Sequence, residues 1–209
     1  MKRRAVLAGL PSALLLGGCT DLITGDEARF EADRGVVSEA ALSDTGYEEQ
    51  SQDQQTIERN FDNVDRTVVV VNKVTEYSRS VDIPLSTDGE LARFTTLATP
   101  KIDIVPGQPA NPVGDMDNDE LAERVQKQYD SVENVEQVGE REQELLGETV
   151  TVSKYKADAQ TEGEGAEINL HIAQGESEDD FVIGVGAHPT EIDEDDRINR
   201  LLEGVTHPA

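Results

Sequence analysis

The chain has 209 residues and carries 44 Asp and Glu against 18 Lys and Arg, a formal net charge of −26. This excess of acid excludes the basic surface that neutralises phosphates, so we expect no nucleic-acid partner. The single cysteine excludes an intrachain disulfide. The length suits one folded domain after the N-terminal segment described next.

The first 18 residues have the organisation of an export signal. Lys2, Arg3 and Arg4 precede the uncharged stretch 5–18, which is shorter than the roughly 20 residues of a membrane-spanning helix. The arginine pair resembles a twin-arginine signal, the export route of proteins that fold before crossing the membrane. The general secretory route is the alternative. We predict a signal peptide at 1–18.

Residues 16–19, Leu-Gly-Gly-Cys, resemble the lipobox of bacterial and archaeal lipoproteins. Cleavage would follow Gly18, and the lipid would attach to the thiol of Cys19. The alternative is a chance cysteine or a buried free thiol. We predict a lipidated tether at 19–27 and a single α+β domain at 28–209, held on the extracytoplasmic face of the cell membrane by lipid chains on Cys19.

The charge of the chain without its signal predicts a habitat. Loss of residues 1–18 leaves 15 bases against 44 acids, a formal net charge of −29. Such a surface repels itself at low ionic strength, whereas molar salt shortens the Debye length to about 3 Å and screens the repulsion. We therefore expect a halophile. The alternative, an acidic and partly disordered mesophilic protein, is disfavoured by clear strand patterns.

The first half of the domain is predicted to hold four strands and one short helix. Strands are indicated at 28–34, 54–61, 67–77 and 91–97, with a helix at 36–42 that ends near Gly46. The strand at 54–61 is polar and suits a sheet edge. Four consecutive valines at 68–71 predict a strand buried on both faces, and therefore central. Residues 100–118 hold four prolines and are predicted to form a long crossover.

The second half begins with a helix predicted from its capping residues. Asp117 suits an N-cap, and Glu120 completes a capping box. Strands are then indicated at 135–142, 149–157, 166–173 and 180–187. Gly184 and Gly186 leave space for a closely crossing helix.

A last helix is predicted to be capped by Thr190 and to end near Gly204. Its buried stripe would consist of Ile198, Leu201, Leu202 and Val205. The complete pattern predicts an α+β fold, with a mainly antiparallel sheet of about seven or eight strands and two or three helices packed on it.

An internal repeat with an offset of 82 residues suggests a duplicated α-β-β unit. The alternative is chance similarity between polar strands. The matching residues are Tyr47 and Tyr129, Gln55 and Gln137, Glu58-Arg59 and Glu140-Arg141, and Thr67-Val68-x-Val70 and Thr149-Val150-x-Val152.

Two acidic runs resemble cation sites only superficially. Asp115-x-Asp117-x-Asp119 opens like a calcium loop, but the sixth and twelfth positions are Glu120 and Gln126, where an EF-hand needs glycine and a bidentate acid. The acids at 191–196 suit the solvated first turns of a helix. We expect no specific metal site at either, and only weak, unspecific cation binding at 191–196.

The three histidines are predicted to be separate surface or hydrogen-bonded residues. His171 and His188 would lie near opposite ends of a hairpin with its turn near 175–179, so no His/Asp metal site is expected.

The sequence contains no hydrolase, phosphate-loop or zincin motif, and we expect neither an enzyme nor a cofactor. The Asn-Pro-Val-Gly-Asp segment at 111–115 is either a functional loop or a structural crossover.

Taken together, these features resemble a family of haloarchaeal lipoproteins that is classified as a domain of unknown function. The residues that carry the resemblance are the Arg3-Arg4 signal, the lipobox, 111–115 before 120–125, Asp179-Asp180-Phe181-Val182 before His188-Pro189, and Leu-Leu-x-Gly-Val-x-His-Pro at 201–208. The resemblance implies no activity. We expect a non-enzymatic binding domain with an envelope protein as partner; the alternatives are a small-molecule or cation-binding lipoprotein and an unrecognised hydrolase.

Overall fold

The computed structural model describes residues 27–61, 66–81, 90–102, 113, 116–128, 132–161 and 164–208. Three helices lie within them: α1 Glu39–Thr45, α2 Asn118–Gln128 and α3 Asp195–Glu203. The strands are β1 Glu27–Glu31, β2 Val36–Val37, β3 Glu48–Phe61, β4 Arg66–Val81, β5 Glu90–Pro100, β6 Val132–Leu145, β7 Glu148–Thr161, β8 Glu164–Glu176, β9 Asp180–Pro189 and β10 Val205–Thr206. The predicted export signal, Cys19 and most of the predicted crossover lie outside the described residues.

One sheet of eight strands forms the centre of the domain. Its order is β3-β4-β5-β9-β8-β7-β6, and β1 pairs in parallel with β4 beside the end of β5. All other pairs in this sheet are antiparallel. The predicted α+β class, with a mainly antiparallel sheet, is confirmed.

The valine run occupies the position that its composition predicts. Val68, Val69, Val70 and Val71 are all buried, and this part of β4 has β3 on one side and β1 on the other. A strand paired on both sides and covered on both faces needs apolar residues at every position. The predicted polar edge strand is β3, which is longer than expected and pairs only with β4 among the described strands.

Helices cover both faces of the sheet. We call the side covered by α1 and α3 the α3 face; its buried cluster includes Ala41, Phe94, Ile198, Leu201 and Leu202. The opposite side is the α2 face, where Leu121 and Ala122 pack with residues of β7, β8 and β9: Tyr155, Leu170, Ile172 and Ile183.

The prediction that glycines admit a closely crossing helix is confirmed on the α3 face. A Cβ at Gly184 would lie 2.5 Å from Leu202 Cδ2, and one at Gly186 would lie 2.7 Å from Ile198 Cδ1. Because both positions lack a side chain, α3 packs directly on the backbone of β9.

Two helix starts differ from the predictions. Residues 36 and 37 form β2, which pairs with β10, so α1 begins three residues late with Ser38 as its N-cap. Its end at Gly46 is confirmed, since this residue has φ 74° and closes the helix.

Thr190 does not cap α3: its amide donates to Glu167 O, and α3 starts after Glu194. The reason is that β9 continues to Pro189 and a turn intervenes.

The topology agrees with a duplicated unit. Each half runs from a helix into an antiparallel meander that starts at a sheet edge, α1-β3-β4-β5 and α2-β6-β7-β8. A twofold axis parallel to the strands would exchange the halves and also the two faces, and α1 and α2 do lie on opposite faces. The pairing is one residue out of step where Gln55 pairs with Asn72 but Gln137 with Tyr155, and two residues out of step where Glu58 pairs with Val69 but Glu140 with Ser153. Register shifts in β6 account for the difference.

Candidate functional site

Two histidines that we expected to lie apart are neighbours on the α3 face. The β8–β9 hairpin pairs His171 with Gly186 and Asn169 with His188. The two imidazoles are therefore diagonal neighbours on one side of the sheet, and both residues are 1% exposed. The prediction of opposite ends was wrong because residues at similar distances from the turn lie next to each other on the two strands of a hairpin, and His188 is only two residues farther from the turn than His171.

The imidazoles face each other beside the N-terminus of α3. Their Nε2 atoms are 3.1 Å apart, and the rings are stacked with centroids 5.2 Å apart. Asp195, the first residue of α3, places Oδ1 3.6 Å from His171 Nε2. One donor atom from each of the three residues lies within 4.8 Å of the other two. We call His171, His188 and Asp195 the histidine cluster.

The surrounding groups define where the imidazole protons lie. His188 Nδ1 is 2.8 Å from Pro189 O, and since a carbonyl only accepts, this nitrogen carries the proton. Arg141 Nη1 is 3.1 Å from His171 Nδ1, and since a guanidinium only donates, this nitrogen is the acceptor. His171 Nε2 then donates to His188 Nε2. The result is a hydrogen-bonded chain of two neutral histidines.

Two cations flank the histidine cluster. Lys154, which pairs with His171 across β7 and β8, places Nζ 2.7 and 3.0 Å from the two oxygens of Asp195. Arg141 also donates from Nε to Asn199 Oδ1 at 2.7 Å. The Lys154 and Asp195 side chains are 26% and 38% exposed, so the cluster is open to solvent on this side.

The environment holds both histidines neutral. Burial lowers the pKa of His171 to about 3, with further lowering by the positive charge of Arg141 and by His188. Burial also lowers the pKa of His188. For Asp195 burial opposes ionisation, but the hydrogen bond and charge of Lys154 outweigh it, and its pKa lies below the ordinary value. The site therefore contains two neutral imidazoles, each with one unprotonated nitrogen, and one carboxylate.

A second polar network attaches the start of α3 to the sheet. The Glu194 side chain is 1% exposed and forms ion pairs with Arg79 and Arg197, while Tyr47 donates its hydroxyl hydrogen to Oε2 at 3.2 Å. Burial, and then the charge of Glu194, raise the pKa of Tyr47. The prediction that 191–196 is a solvated run is therefore wrong for Glu194, whose charge is paired inside the protein.

The other predicted site residues are dispersed. Asp117 and Glu120 form the predicted capping box, with bonds of 3.1 and 2.9 Å, and Asp119 accepts a hydrogen bond from Tyr155 at 2.7 Å. Asp115 lies outside the described residues, as do Arg3, Arg4, Gly18 and Cys19. His207 lies at the other end of β9 from His188, with Nε2 2.9 Å from Asp180 Oδ2.

Sequence reasoning did not identify Arg141 and Lys154 as parts of a site. Arg141 appears only in the internal repeat and Lys154 in no motif, and both reach the histidine cluster because β7 pairs with β8 and β6 with β7. The available signal was the hairpin register, which places positions 171 and 188 on one face once the turn is centred near 178.

The fold and this site define the class of protein. It is an α+β domain with a mainly antiparallel sheet, helices on both faces of the sheet, and a histidine cluster beside the start of α3. A family model described as Domain of unknown function (DUF6517) matches residues 34–206, and the chain belongs to that family. No curated protein and no solved structure matches the chain. None of the described helices has the length and apolar character needed to cross a membrane.

Proposed function

We propose that this protein is a lipoprotein anchored through Cys19 on the extracytoplasmic face of a halophile's cell membrane, where residues 28–209 act as a non-enzymatic binding domain. The observation that carries the proposal is the order of the N-terminal residues: three cations, an uncharged run and Leu-Gly-Gly-Cys at the only cysteine. Only seven residues, 20–26, separate Cys19 from the start of β1.

The distribution of charge supports the proposed habitat. Every lysine after Cys19 forms an ion pair: Lys73 with Glu31, Lys101 with Glu176, Lys127 with Glu123, Lys154 with Asp195, and Lys156 with Glu167. These pairs use five of the 44 acids, so most carboxylates have no lysine to offset their mutual repulsion. A folded domain of this charge gains stability from screening by salt.

Metabolic labelling with a radioactive lipid precursor tests the anchor. We expect label on the wild type and none on a Cys19→Ser variant, which should also leave the membrane fraction. Arg3→Lys/Arg4→Lys is the matched test of the twin-arginine route and should block export without altering the lipobox. An unlabelled wild type, or equal label on Cys19→Ser, would contradict the lipoprotein assignment.

Circular dichroism during stepwise removal of salt tests the habitat. We expect the strand signal to be lost as the concentration falls from molar to about 0.1 M, where the Debye length reaches about 10 Å. A spectrum unchanged over this range would argue for a protein adapted to dilute surroundings.

Affinity purification from detergent-solubilised membranes in molar salt tests the binding role. Reproducible recovery of an envelope protein with the wild type, at a constant ratio, is the expected result. Recovery of the chain alone would disfavour a protein partner and favour the second candidate, a cation-binding lipoprotein. The specific observation in favour of that candidate is the histidine cluster.

A further inference from the structure

We propose that His171, His188 and Asp195 bind one divalent transition-metal ion of the zinc class, and that the hydrogen-bonded chain described above is the metal-free form of this site. The inference concerns the folded domain alone. It does not depend on lipid attachment to Cys19, so either proposal can fail without the other.

The ligand types and their spacing suit such an ion. Two imidazoles and one carboxylate, with water in the fourth position, form a common open zinc site. Bonds of about 2.0–2.1 Å in tetrahedral geometry place two ligand nitrogens about 3.3 Å apart, and the Nε2 atoms of His171 and His188 are 3.1 Å apart. Asp195 Oδ1, at 3.6 Å from His171 Nε2, reaches the same point after a small rotation.

His188 is already oriented as a metal ligand. Its Nδ1 donates to Pro189 O at 2.8 Å, which directs the unprotonated Nε2 into the cluster. A backbone carbonyl on the distal nitrogen is a usual partner of a metal-bound histidine, because it selects the tautomer and holds the ring. The partly exposed Asp195 side gives an ion a route from solvent.

Arg141 and Lys154 oppose the ion, and this opposition makes the proposal testable. A metal on His171 Nε2 requires the proton to move to Nδ1, where it would face the N–H of Arg141, 3.1 Å away. The guanidinium must then rotate away from His171. It can do so and remain in the site if it keeps the hydrogen bond from Nε to Asn199 Oδ1. Lys154 must likewise share Asp195 with the ion. No net proton is released by this tautomer change.

The test is a titration of the full chain carrying Cys19→Ser, which removes the only thiol. Zn²⁺ is followed by calorimetry and Co²⁺ by its visible spectrum, in molar KCl with excess Mg²⁺ to occupy weak carboxylate sites. We expect one saturable equivalent and the absorption of tetrahedral Co²⁺. Asp195→Asn should weaken binding at least tenfold, and His188→Asn should abolish it.

Arg141→Met provides the sharpest comparison, since it removes a positive charge and a donor but keeps an apolar stem. We expect it to bind Zn²⁺ at least tenfold more tightly, a result that a purely structural arginine would not produce. His207→Asn is the matched control, because this histidine lies at the other end of β9, and it should keep one equivalent.

Two results would overturn the metal site. One is the absence of saturable binding in both the Cys19→Ser chain and its Arg141→Met variant. The other is binding that persists unchanged in Asp195→Asn or His188→Asn. If His188→Asn fails to fold, as judged by circular dichroism, the partly exposed Asp195→Asn and Arg141→Met variants decide the matter.

Discussion

The two faces of the sheet are covered by helices in different ways. On the α2 face, Leu121 and Ala122 pack on apolar strand residues, and the polar contacts of the helix with the sheet are hydrogen bonds, from Tyr155 to Asp119 and from Asn118 to Ser153. On the α3 face, α3 approaches β9, and α1 approaches the end of α3, so closely that glycine is required. His171, His188 and Glu194 are buried beside the start of α3. The α2 face is therefore stabilised mainly by the burial of apolar surface, whereas the stability of the α3 face also depends on buried charges and on the protonation of its histidines.

Acid, through the buried histidines of the α3 face, should lower the free energy of unfolding more than any single substitution on the α2 face. The folded pKa of His171 is about 3, below the ordinary 6.5, so the unfolded chain binds protons first as the pH falls. The stability associated with His171 is complete above pH 6.5 and is lost as the pH falls toward 3, at up to about 1.4 kcal/mol per pH unit. The lowered pKa of His188 acts in the same direction.

Urea unfolding in molar KCl at a series of pH values measures this effect. Between pH 6.5 and 4 the free energy of unfolding should fall steeply in the wild type and less steeply in His171→Asn. Asp180, whose pKa is raised by burial, acts in the opposite direction, since its contribution is lost as the pH rises. It is present in both proteins and cancels in their difference. Parallel slopes would show that the histidines are not the groups responsible.

Gly204→Ala should be the most damaging small substitution on the α3 face. The added Cβ would lie 2.3 Å from the Cβ of Ala41, which is backbone-fixed and cannot rotate away. Separation of α1 from α3 should cost about 1–3 kcal/mol, measured by urea unfolding. Gly165→Ala, where a Cβ meets nothing within 4 Å, is the control and should be near neutral.

A double variant tests the cause of that loss. Ala41→Gly removes the opposing methyl group, so Ala41→Gly/Gly204→Ala should be more stable than the sum of the two single effects predicts. Simple additivity would place the cause elsewhere than in this contact.

On the α2 face, loss of the helix cap should have a smaller effect. Asp117→Ala removes the bond from Glu120 N to Asp117 Oδ1 and should lower the free energy of unfolding by about 1 kcal/mol. Asp117→Ser, which keeps an acceptor, should recover most of it. A loss as large as that of Gly204→Ala would contradict the contrast between the faces.

The smallest effect is expected at the surface of α2. Lys127 and Glu123 form an ion pair with both side chains largely exposed, and such pairs contribute little, less still in strong salt. Lys127→Met should change the free energy of unfolding by under about 0.5 kcal/mol at any salt concentration that keeps the domain folded. A larger loss in molar salt would mean that the screening argument is wrong.

Local features of the fold were predictable because their causes are local. The valine run of β4, the Asp117 capping box and the Gly46 helix end each follow from the conformational needs of a few adjacent residues, and the structure confirms them. The helix stripe of Ile198, Leu201 and Leu202 is likewise buried as its spacing predicts. Thr190 shows the limit, since a good capping residue is not used where a strand continues past the expected boundary.

By itself, the sequence determined the α+β class, the type and order of most elements and the extreme acidic charge, because periodicity, capping and composition act over short stretches of chain. Only the tertiary structure decided that His171, His188 and Asp195 meet, and that Arg141 and Lys154 flank them. These five residues come from four strands and a helix, and their distances depend on strand register and sheet order. Pairing of distant segments sets both, and no local signal in a single sequence reports them.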